Sequence, residues 1–383
     1  MLFLRVVNVI QITFSYLISR MTGKVFHWGY PLAVSVEPTN SCNLRCPECP
    51  SGAMELTRKR GMMTPETFRL VVDQLLPWLS YLTLYFQGEP YMNPGFFEFV
   101  RYARSKKIFV ATSTNGHFLT PENAAETITS GLNLLIISLD GTDQQAYSSY
   151  RAGGDFGKVI KGIQTIVEAK KRLKSSHPKI IIQFLVLKSN QHQIKEIQKL
   201  GKELGVDQVQ LKTAQFNDFQ HGNPLMTDIP RYSRYTLKNL NSKFKIQNSK
   251  FKSSIQKSKF KIFWNFLHLQ APQSLSESEM YQFNNSSALP FDNSSPHYAL
   301  KNRLPNRCFR MWSSCVITWD GKVVPCCYDK DAGHQLGDLA QESLTKIWKS
   351  GRYNSFRQMI LDHRNSVGIC QNCMEGTGIS AIF

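Results

Sequence analysis

Three cysteines, Cys42, Cys46 and Cys49, lie close together in the run EPTNSCNLRCPECPSG. Cysteine thiolates bind soft metals, and four of them are the usual ligands of a cubic iron–sulfur cluster. A set of three leaves one iron open to a small molecule. A structural zinc site would need a fourth ligand nearby, and this run has no histidine. Disulfides would imply export, and no cleavable signal peptide is evident. The trio therefore predicts a four-iron cluster with an open iron.

The spacing C-x3-C-x2-C resembles the signature of the radical S-adenosylmethionine (SAM) enzymes. The resemblance implies that the open iron binds the methionine end of SAM. An electron then cleaves SAM to a 5′-deoxyadenosyl radical, which abstracts hydrogen from a substrate. The implied cofactors are SAM and its 4Fe-4S cluster, and the implied partner is a reducing electron donor such as flavodoxin or ferredoxin.

Six apolar stretches rich in Val, Ile and Leu alternate with helix-length segments, one of which begins after a predicted N-cap at Thr64. This alternation predicts a parallel sheet covered by helices. Six such units make an α/β fold of the open, partial (β/α)6 TIM-like barrel type, which is the core of the resembled family. The predicted strands cover 32–38, 82–90, 108–116, 134–141, 179–190 and 207–214.

Polar groups follow three of these strands, at the end of the sheet where α/β proteins build their sites. The run Gln87-Gly88-Glu89-Pro90 resembles the family's Gly-Gly-Glu motif, which receives the amino group of SAM, although Gln87 replaces the first glycine. Two further strand ends are similar to those that contact the ribose and carboxylate. The predicted SAM-binding residues are Gln87, Gly88, Glu89, Ser113, Thr114, Asn115, Ser138 and Asp140.

Catalytic residues are harder to assign. The loop Tyr150-Arg151-Ala152-Gly153-Gly154 resembles a family loop whose arginine pairs with a carboxylate, and Tyr147 and Arg151 are candidates only through their place near strand ends. The family commonly has an aromatic residue before the third cysteine, but here Glu48 stands there. Leu187 on the fifth strand is the candidate for packing against adenine.

Six more cysteines lie between residues 308 and 373, in a region that resembles the family's C-terminal SPASM extension or its shorter "twitch" form. The run VITWDGKVVPCC predicts a hairpin with Asp320-Gly321 as its turn, and a helix is predicted for 342–361. Six cysteines cannot fill two fully ligated four-iron clusters, so one auxiliary 4Fe-4S cluster is expected. A zinc ribbon is the alternative for the whole region.

The resemblance assigns the auxiliary cluster to Cys308, Cys326, Cys370 and Cys373. Adjacent strand residues face opposite ways, so Cys327 is not expected to serve the same iron as Cys326. The two cysteines left over are interpreted as small buried hydrophobic residues. For Cys315, a substrate-proximal thiol is the alternative.

The predicted domains are an N-terminal helical segment (1–31), the barrel (32–230), a linker with a low-complexity insertion (231–303) and the auxiliary-cluster domain (304–383). Residues 2–19 are apolar but interrupted by polar residues, which disfavours a transmembrane helix. A helix covering the barrel is the first interpretation, and peripheral membrane contact is the alternative.

The insertion repeats the motif NSKFK and then becomes rich in Ser and Asn, as expected for a mobile segment without catalytic consequence. Its Lys/Phe pattern offers nucleic-acid contact as a less favoured alternative. The net charge of +18 suits an anionic partner of several kinds.

Together these features predict a cytoplasmic radical SAM enzyme that oxidises or otherwise modifies a peptide or small metabolite, with the auxiliary cluster relaying electrons. Two alternatives remain open at this point. One is a zinc-dependent nucleic-acid-binding protein, and the other is an iron–sulfur electron carrier without SAM chemistry.

Overall fold

The computed structural model describes residues 2–238, 298–302 and 304–375. Within these residues, the main sheet has nine strands in the order β11-β10-β9-β1-β2-β3-β4-β5-β6, and β7 pairs separately with β8. The predicted low-complexity insertion lies almost wholly outside the described residues. The strands are β1 (Ala33–Val36), β2 (Tyr81–Leu84), β3 (Phe109–Thr114), β4 (Leu134–Ser138), β5 (Lys179–Val186), β6 (Gln208–Thr213), β7 (Tyr235–Leu237), β8 (Tyr298–Leu300), β9 (Ser314–Ile317), β10 (Lys322–Val324) and β11 (Gly337–Asp338).

Helices connect the first six strands and cover one face of the sheet. Alternate strand residues such as Val34, Leu82 and Ile182 are fully buried in this layer, as an apolar strand pattern requires. The helices are α1 (Leu2–Thr22), α2 (Pro50–Ala53), α3 (Pro65–Leu75), α4 (Phe96–Ser105), α5 (Pro121–Thr129), α6 (Gln144–Ser148), α7 (Phe156–Arg172), α8 (Ile194–Glu203), α9 (Arg310–Ser313), α10 (Leu344–Lys349) and α11 (Gly351–His363).

The predicted partial barrel is confirmed. Strands β1 to β6 pair in chain order, and every pairing is parallel. Their carboxyl ends therefore meet at one edge of the sheet, where the loops that follow them come together. The side chain of Thr64 accepts a hydrogen bond from the backbone N–H of Thr67, which confirms the predicted N-cap of α3.

The C-terminal hairpin continues the barrel's sheet, which the sequence did not indicate. Strand β9 lies parallel to β1, with Val34 opposite Cys315, and β10 returns antiparallel to β9. Gly321 adopts a positive φ of 82° in the turn, as the Asp320-Gly321 prediction requires. The auxiliary module is thus joined to the barrel by backbone pairing.

The single helix predicted for 342–361 is wrong in one respect, because two helices occupy this segment. Helix α10 ends at Lys349, and the side chain of the next residue, Ser350, accepts a hydrogen bond from the N–H of Tyr353 and caps α11. A serine followed by Gly351 favours this break, since serine is a strong N-cap and glycine a poor helix former.

Candidate active site

The cysteine loop follows β1 at the carboxyl edge of the barrel. Cys46 is buried, whereas Cys42 and Cys49 are half-buried. The N–H of Leu44 donates to the sulfur of Cys42 at 3.4 Å, and burial raises the pKa of that thiol to about 11. Iron binding at this loop must therefore displace thiol protons, as it does for cysteine ligands in general.

Each cysteine sulfur has one polar side chain near it, and these three side chains come from the loops that follow neighbouring strands. The amide of Asn115, after β3, lies 3.8 Å from the sulfur of Cys42. Arg151, beyond β4, lies 3.9 Å from Cys46, and the Cys49 thiol lies 3.8 Å from the side-chain oxygen of Gln87, after β2. The parallel sheet thus brings together residues far apart in sequence around the trio.

Gly88 allows the loop after β2 to pack directly on the cysteine loop. It adopts a positive φ of 72°, and a Cβ here would stand 2.4 Å from the carbonyl oxygen of Thr39. The next residue, Glu89, donates its backbone N–H to the carbonyl of Ser41 at 2.8 Å. Only glycine combines this backbone conformation with so close an approach.

The Glu89 carboxylate lies almost wholly buried beside the cysteine loop. It accepts hydrogen bonds from the Thr114 hydroxyl at 2.8 Å, from the Asn115 N–H at 2.7 Å and from the Tyr91 N–H. Burial raises its pKa to about 7, and these three donors oppose that rise. A ligand ammonium group placed here would neutralise the buried Glu89 carboxylate and donate a hydrogen bond to it.

Asp140 and Arg151 form a second charged pair at the same edge. The guanidinium Nε donates to the Asp140 carboxylate at 2.6 Å, and the other carboxylate oxygen accepts the N–H of Leu185 at 2.6 Å. Arg151 therefore bridges the Asp140 carboxylate and the sulfur of Cys46. Ser138 is buried next to this pair on β4, while Ser113 on β3 is half-buried.

Two further sequence-predicted residues are buried beside the cysteine loop and Arg151. Tyr147 is fully buried in the main core near Phe156, and its hydroxyl has no hydrogen-bond partner, so its burial does not support the catalytic interpretation. Leu187 is also fully buried, in a smaller cluster with Leu44 and Cys46. It stands behind the cysteine loop and has no free surface for adenine in this structure.

Glu48 has a positioning role that the sequence did not reveal. Its carboxylate accepts the N–H of Asn217 at 2.8 Å and the side-chain amide of Asn223 at 2.7 Å. The residue that replaces the family's aromatic position thus ties the cysteine loop to the segment after β6. From the sequence, only the negative charge of Glu48 indicated that it would have polar partners.

The four C-terminal cysteines predicted as auxiliary ligands line one cavity with apolar side chains that include Phe356 and Ile360. They come from three separate segments of the module, the last of which supplies two, and are Cys308, Cys326, Cys370 and Cys373. In the described residues, no group of three His, Cys, Asp or Glu side chains is close enough to hold a single metal ion. A four-iron cluster takes one cysteine at each of its four irons, and four cysteines line this cavity.

Arg364 is a buried cation beside this cavity that the sequence analysis missed. Its guanidinium donates to the sulfur of Cys373 at 3.3 Å and to the backbone carbonyls of Arg307 and Glu375. At the edge of the cavity, Arg310 pairs with the Glu375 carboxylate at 2.9 Å. The cavity therefore holds one fixed positive charge directly against a sulfur.

The two remaining cysteines differ from each other. Cys315 is 2% exposed on β9 and packs in the main core, which agrees with a small buried hydrophobic residue and leaves it away from the opening. The same interpretation is wrong for Cys327, whose side chain is exposed. Strand β10 ends at Val324, so this pair lies in the turn that follows it, where Cys326 lines the cavity and Cys327 is exposed.

Comparison with known proteins identifies this arrangement. Residues 36–201 match the radical SAM superfamily profile, and residues 308–374 match that of SPASM, an iron–sulfur cluster-binding domain. The chain belongs to the radical SAM superfamily and carries a C-terminal SPASM iron–sulfur domain. It is a radical SAM enzyme. Its cofactors are SAM, the radical SAM 4Fe-4S cluster and the auxiliary iron–sulfur clusters of a SPASM domain.

Among similar proteins is the tungsten-containing aldehyde ferredoxin oxidoreductase cofactor-modifying protein of Pyrococcus furiosus, which is 25% identical over 84% of this chain and 82% of its own length. The AdoMet-dependent heme synthase of Methanosarcina barkeri is 28% identical over 46% of this chain, an alignment that spans 48% of that relative. The structure of Streptococcus suis SuiB bound to precursor peptide SuiA aligns with a TM-score of 0.55 at 14% identity, covering 90% of this chain and 71% of SuiB. This last likeness shows a shared fold.

Proposed function

We propose that this enzyme cleaves SAM at the Cys42, Cys46 and Cys49 loop and oxidises a peptide or a small metabolite by two electrons. The main support for the proposal is that two different cysteine sites are built on one continuous sheet. One site has three cysteines and open polar strand ends, and the other has four cysteines in a cavity.

The strand ends supply the groups that SAM needs. Glu89 accepts the ammonium group of SAM, with Thr114 and the Asn115 N–H holding its carboxylate in place. Arg151, held by Asp140, is the cation available to the SAM carboxylate. Gln87, Ser113, Asn115 and Ser138 provide the remaining polar contacts. When bound, the cluster and SAM together supply a 5′-deoxyadenosyl radical and methionine at the cost of one electron.

The substrate then loses a hydrogen atom to the radical, which forms 5′-deoxyadenosine. A second electron and a proton must leave the substrate radical to complete a two-electron oxidation. Four cysteine ligands would leave the auxiliary cluster no open iron, so it is suited to accept that electron rather than to bind substrate. Cys308, Cys326, Cys370 and Cys373 are the proposed ligands.

Positive charge between the two sites favours a substrate with an anionic group. Lys212 on β6 is half-buried, and burial together with Arg234 and Arg310 lowers its pKa. Arg234 is held by the Thr213 hydroxyl at 3.0 Å and approaches the Tyr328 hydroxyl. Peptide and cofactor precursors both carry carboxylates, and the names of the two relatives above, a cofactor-modifying protein and a heme synthase, accord with such substrates. SuiB, which shares the fold, is bound to a precursor peptide in its structure.

The test uses anaerobically reconstituted enzyme with SAM, a strong reductant, and peptide and metabolite fractions from cells grown in heavy water. Deuterium transferred into 5′-deoxyadenosine marks the fraction that holds the substrate. The Cys326→Ala/Cys373→Ala variant should still form deuterated 5′-deoxyadenosine but should lose the oxidised product. Product formed at the wild-type yield by this variant would remove the electron-relay role.

Membership of an enzyme superfamily sets aside both alternatives, the zinc-dependent nucleic-acid-binding protein and the electron carrier without SAM chemistry. We propose a cytoplasmic location, since oxygen-sensitive thiolate clusters and free cysteines need a reducing compartment. The electron donor, flavodoxin or ferredoxin, is part of the same proposal.

A further inference from the structure

Helix α1 is docked on the enzyme by a mixed face, in which three polar side chains are buried together with Ile12 and Tyr16. Asn8 exchanges two hydrogen bonds with the backbone of Tyr30, at 3.0 and 2.8 Å, and Ser19 exchanges two with the backbone of Phe26. Asn8, Ser15 and Ser19 are all buried. A surface helix usually buries its widest apolar stripe, whereas α1 buries this mixed face and leaves a wider apolar face in solvent.

The opposite side of α1 is apolar and exposed. Its residues recur at intervals of three or four, which places them on one face of the helix. Their side chains are between 44% and 76% exposed, as shown by Phe3, Val6, Ile10, Phe14, Leu17 and Met21. A contiguous apolar face of this kind on a folded protein marks a surface that something else covers.

Positive charge surrounds this face. No Asp or Glu occurs before Glu37, whereas Arg5, Arg20 and Lys24 all fall within or just after α1. Arg5 donates to the carbonyl of Lys107 at 2.9 Å and so brings a further exposed cation to the N-terminal end of the helix. An apolar face bordered by cations complements an anionic lipid surface, where acyl chains lie beneath negative headgroups.

We propose that α1 binds the enzyme to an anionic lipid bilayer, lying in the plane of the interface with its exposed apolar face among the acyl chains. This goes beyond the proposed chemistry and does not depend on it. Lipid would cover the face that water now contacts, while Arg20 and Lys24 reach the headgroups.

Two other occupants fit the structure less well. By length and composition α1 could cross a membrane, but a span would have to break the buried bonds of Asn8 and Ser19 and place these side chains in hydrocarbon. A second copy of the chain packed as a coiled coil would use a narrow apolar stripe, two residues in every seven, with charged residues on its flanks. Here the flanks of the stripe, Leu2 and Val9, are themselves exposed and apolar. The face is therefore broader than a coiled-coil stripe.

The experiment is flotation of the full-length holoenzyme with vesicles of phosphatidylcholine, with and without roughly one-third phosphatidylglycerol. We expect binding to the anionic vesicles that weakens at high salt. The Ile10→Ser/Phe14→Ser variant changes only exposed side chains, so the polar docking contacts of α1 stay intact. It should lose at least about tenfold in vesicle binding, since each buried CH₂ contributes to membrane affinity.

The matched control is Leu70→Ser/Leu173→Ser, which removes two similarly exposed leucines, one on α3 and one just after α7, and should bind like the wild type. The Arg20→Gln/Lys24→Gln variant should lose the preference for anionic vesicles. Ile10→Ser/Phe14→Ser and Arg20→Gln/Lys24→Gln should both retain SAM cleavage, which would show that these variants are folded. Equal vesicle binding by wild type and Ile10→Ser/Phe14→Ser would overturn the proposal, as would no binding by the wild type.

Light scattering on the same proteins separates the other occupants. A wild-type dimer that becomes a monomer in Ile10→Ser/Phe14→Ser would assign the face to a second copy and overturn the lipid proposal. Wild type that stays with membranes after an alkaline carbonate wash would identify an embedded span, and an N-terminus removed from the mature protein would identify a signal sequence. Each of these outcomes also contradicts the interfacial helix.

Discussion

The two cysteine regions are built in opposite ways. In the barrel, one short loop supplies three cysteines, two of them half-buried, and polar strand ends surround them. In the C-terminal module, three distant segments supply four cysteines around a cavity lined by apolar side chains and Arg364. An open, polar site suits a cluster that binds a small molecule, whereas an enclosed and fully ligated one suits electron transfer.

The largest effect should come from removing one cysteine of the open site. Cys46→Ala should abolish 5′-deoxyadenosine formation, because the loop would keep only two ligands. The matched control is Cys315→Ala, which removes a buried cysteine that belongs to neither site and should keep the activity. The measurement is the amount of 5′-deoxyadenosine that each variant forms, quantified by chromatography. Activity retained by Cys46→Ala would show that SAM is cleaved without the three cysteines.

The second prediction concerns the pH dependence of SAM binding. With the pKa of Glu89 at about 7, its carboxylate is charged above that pH and protonated below it. An ammonium group binds the charged form, so SAM affinity should fall about tenfold as the pH drops from 8 to 6. Equilibrium binding to the holoenzyme measures this change.

Glu89→Gln should bind SAM weakly and lose the pH dependence, because its side chain is neutral at both values. Glu98→Gln, which changes an exposed glutamate on α4, should keep the wild-type profile. A profile unchanged by Glu89→Gln would show that another group recognises the amino end of SAM.

Arg364 gives a smaller prediction that sharpens the contrast between the sites. A cation donating to a cluster cysteine favours the more negative, reduced state. Arg364→Gln should therefore lower the midpoint potential of the auxiliary cluster by roughly 50–100 mV, as expected for loss of a charged hydrogen bond. Electron paramagnetic resonance (EPR) titration measures both clusters in one sample.

Arg364→Lys keeps the positive charge and should shift the potential less. The SAM-binding cluster should be unaffected in either variant, since the cysteine to which Arg364 donates, Cys373, belongs to the C-terminal site. Equal shifts in both clusters would indicate a global structural change instead of a local charge effect.

The smallest effect is expected from shortening the insertion. Strands β7 and β8 pair with Leu237 opposite Tyr298, so the two ends of the intervening segment lie side by side. Replacing residues 240–295 with a short Gly/Ser turn should leave SAM cleavage unchanged. Loss of cleavage with normal iron content would give the insertion a role in the chemistry that we do not assign to it.

Much of the site could be predicted from the sequence because its chemistry is local. The trio of cysteines, the glycine of the run Gln87-Gly88-Glu89 and the strand ends follow from spacing and residue type. Pairing across distant segments could not be predicted in the same way. The parallel alignment of β9 with β1 and the contact of Arg364 with Cys373 depend on tertiary packing, which leaves no periodic signal in the chain.

The direction in which some side chains face could not be predicted from the sequence. A place at or near a strand end does not determine whether a side chain is exposed to a ligand. Tyr147 and Leu187 are buried, and Cys327 is exposed. The orientation of α1 was equally hidden, since its polar residues interrupt an apolar run and only the structure shows that they face the protein.

The central claim is that one cluster is open to SAM and the other is closed. EPR of the dithionite-reduced holoenzyme, recorded with and without SAM, tests it most directly. We predict about eight irons per chain and two signals, of which SAM perturbs one. In Cys326→Ala/Cys373→Ala, about four irons and only the SAM-sensitive signal should remain. If SAM changes both EPR signals, or neither of them, the claim of one open and one closed cluster is contradicted.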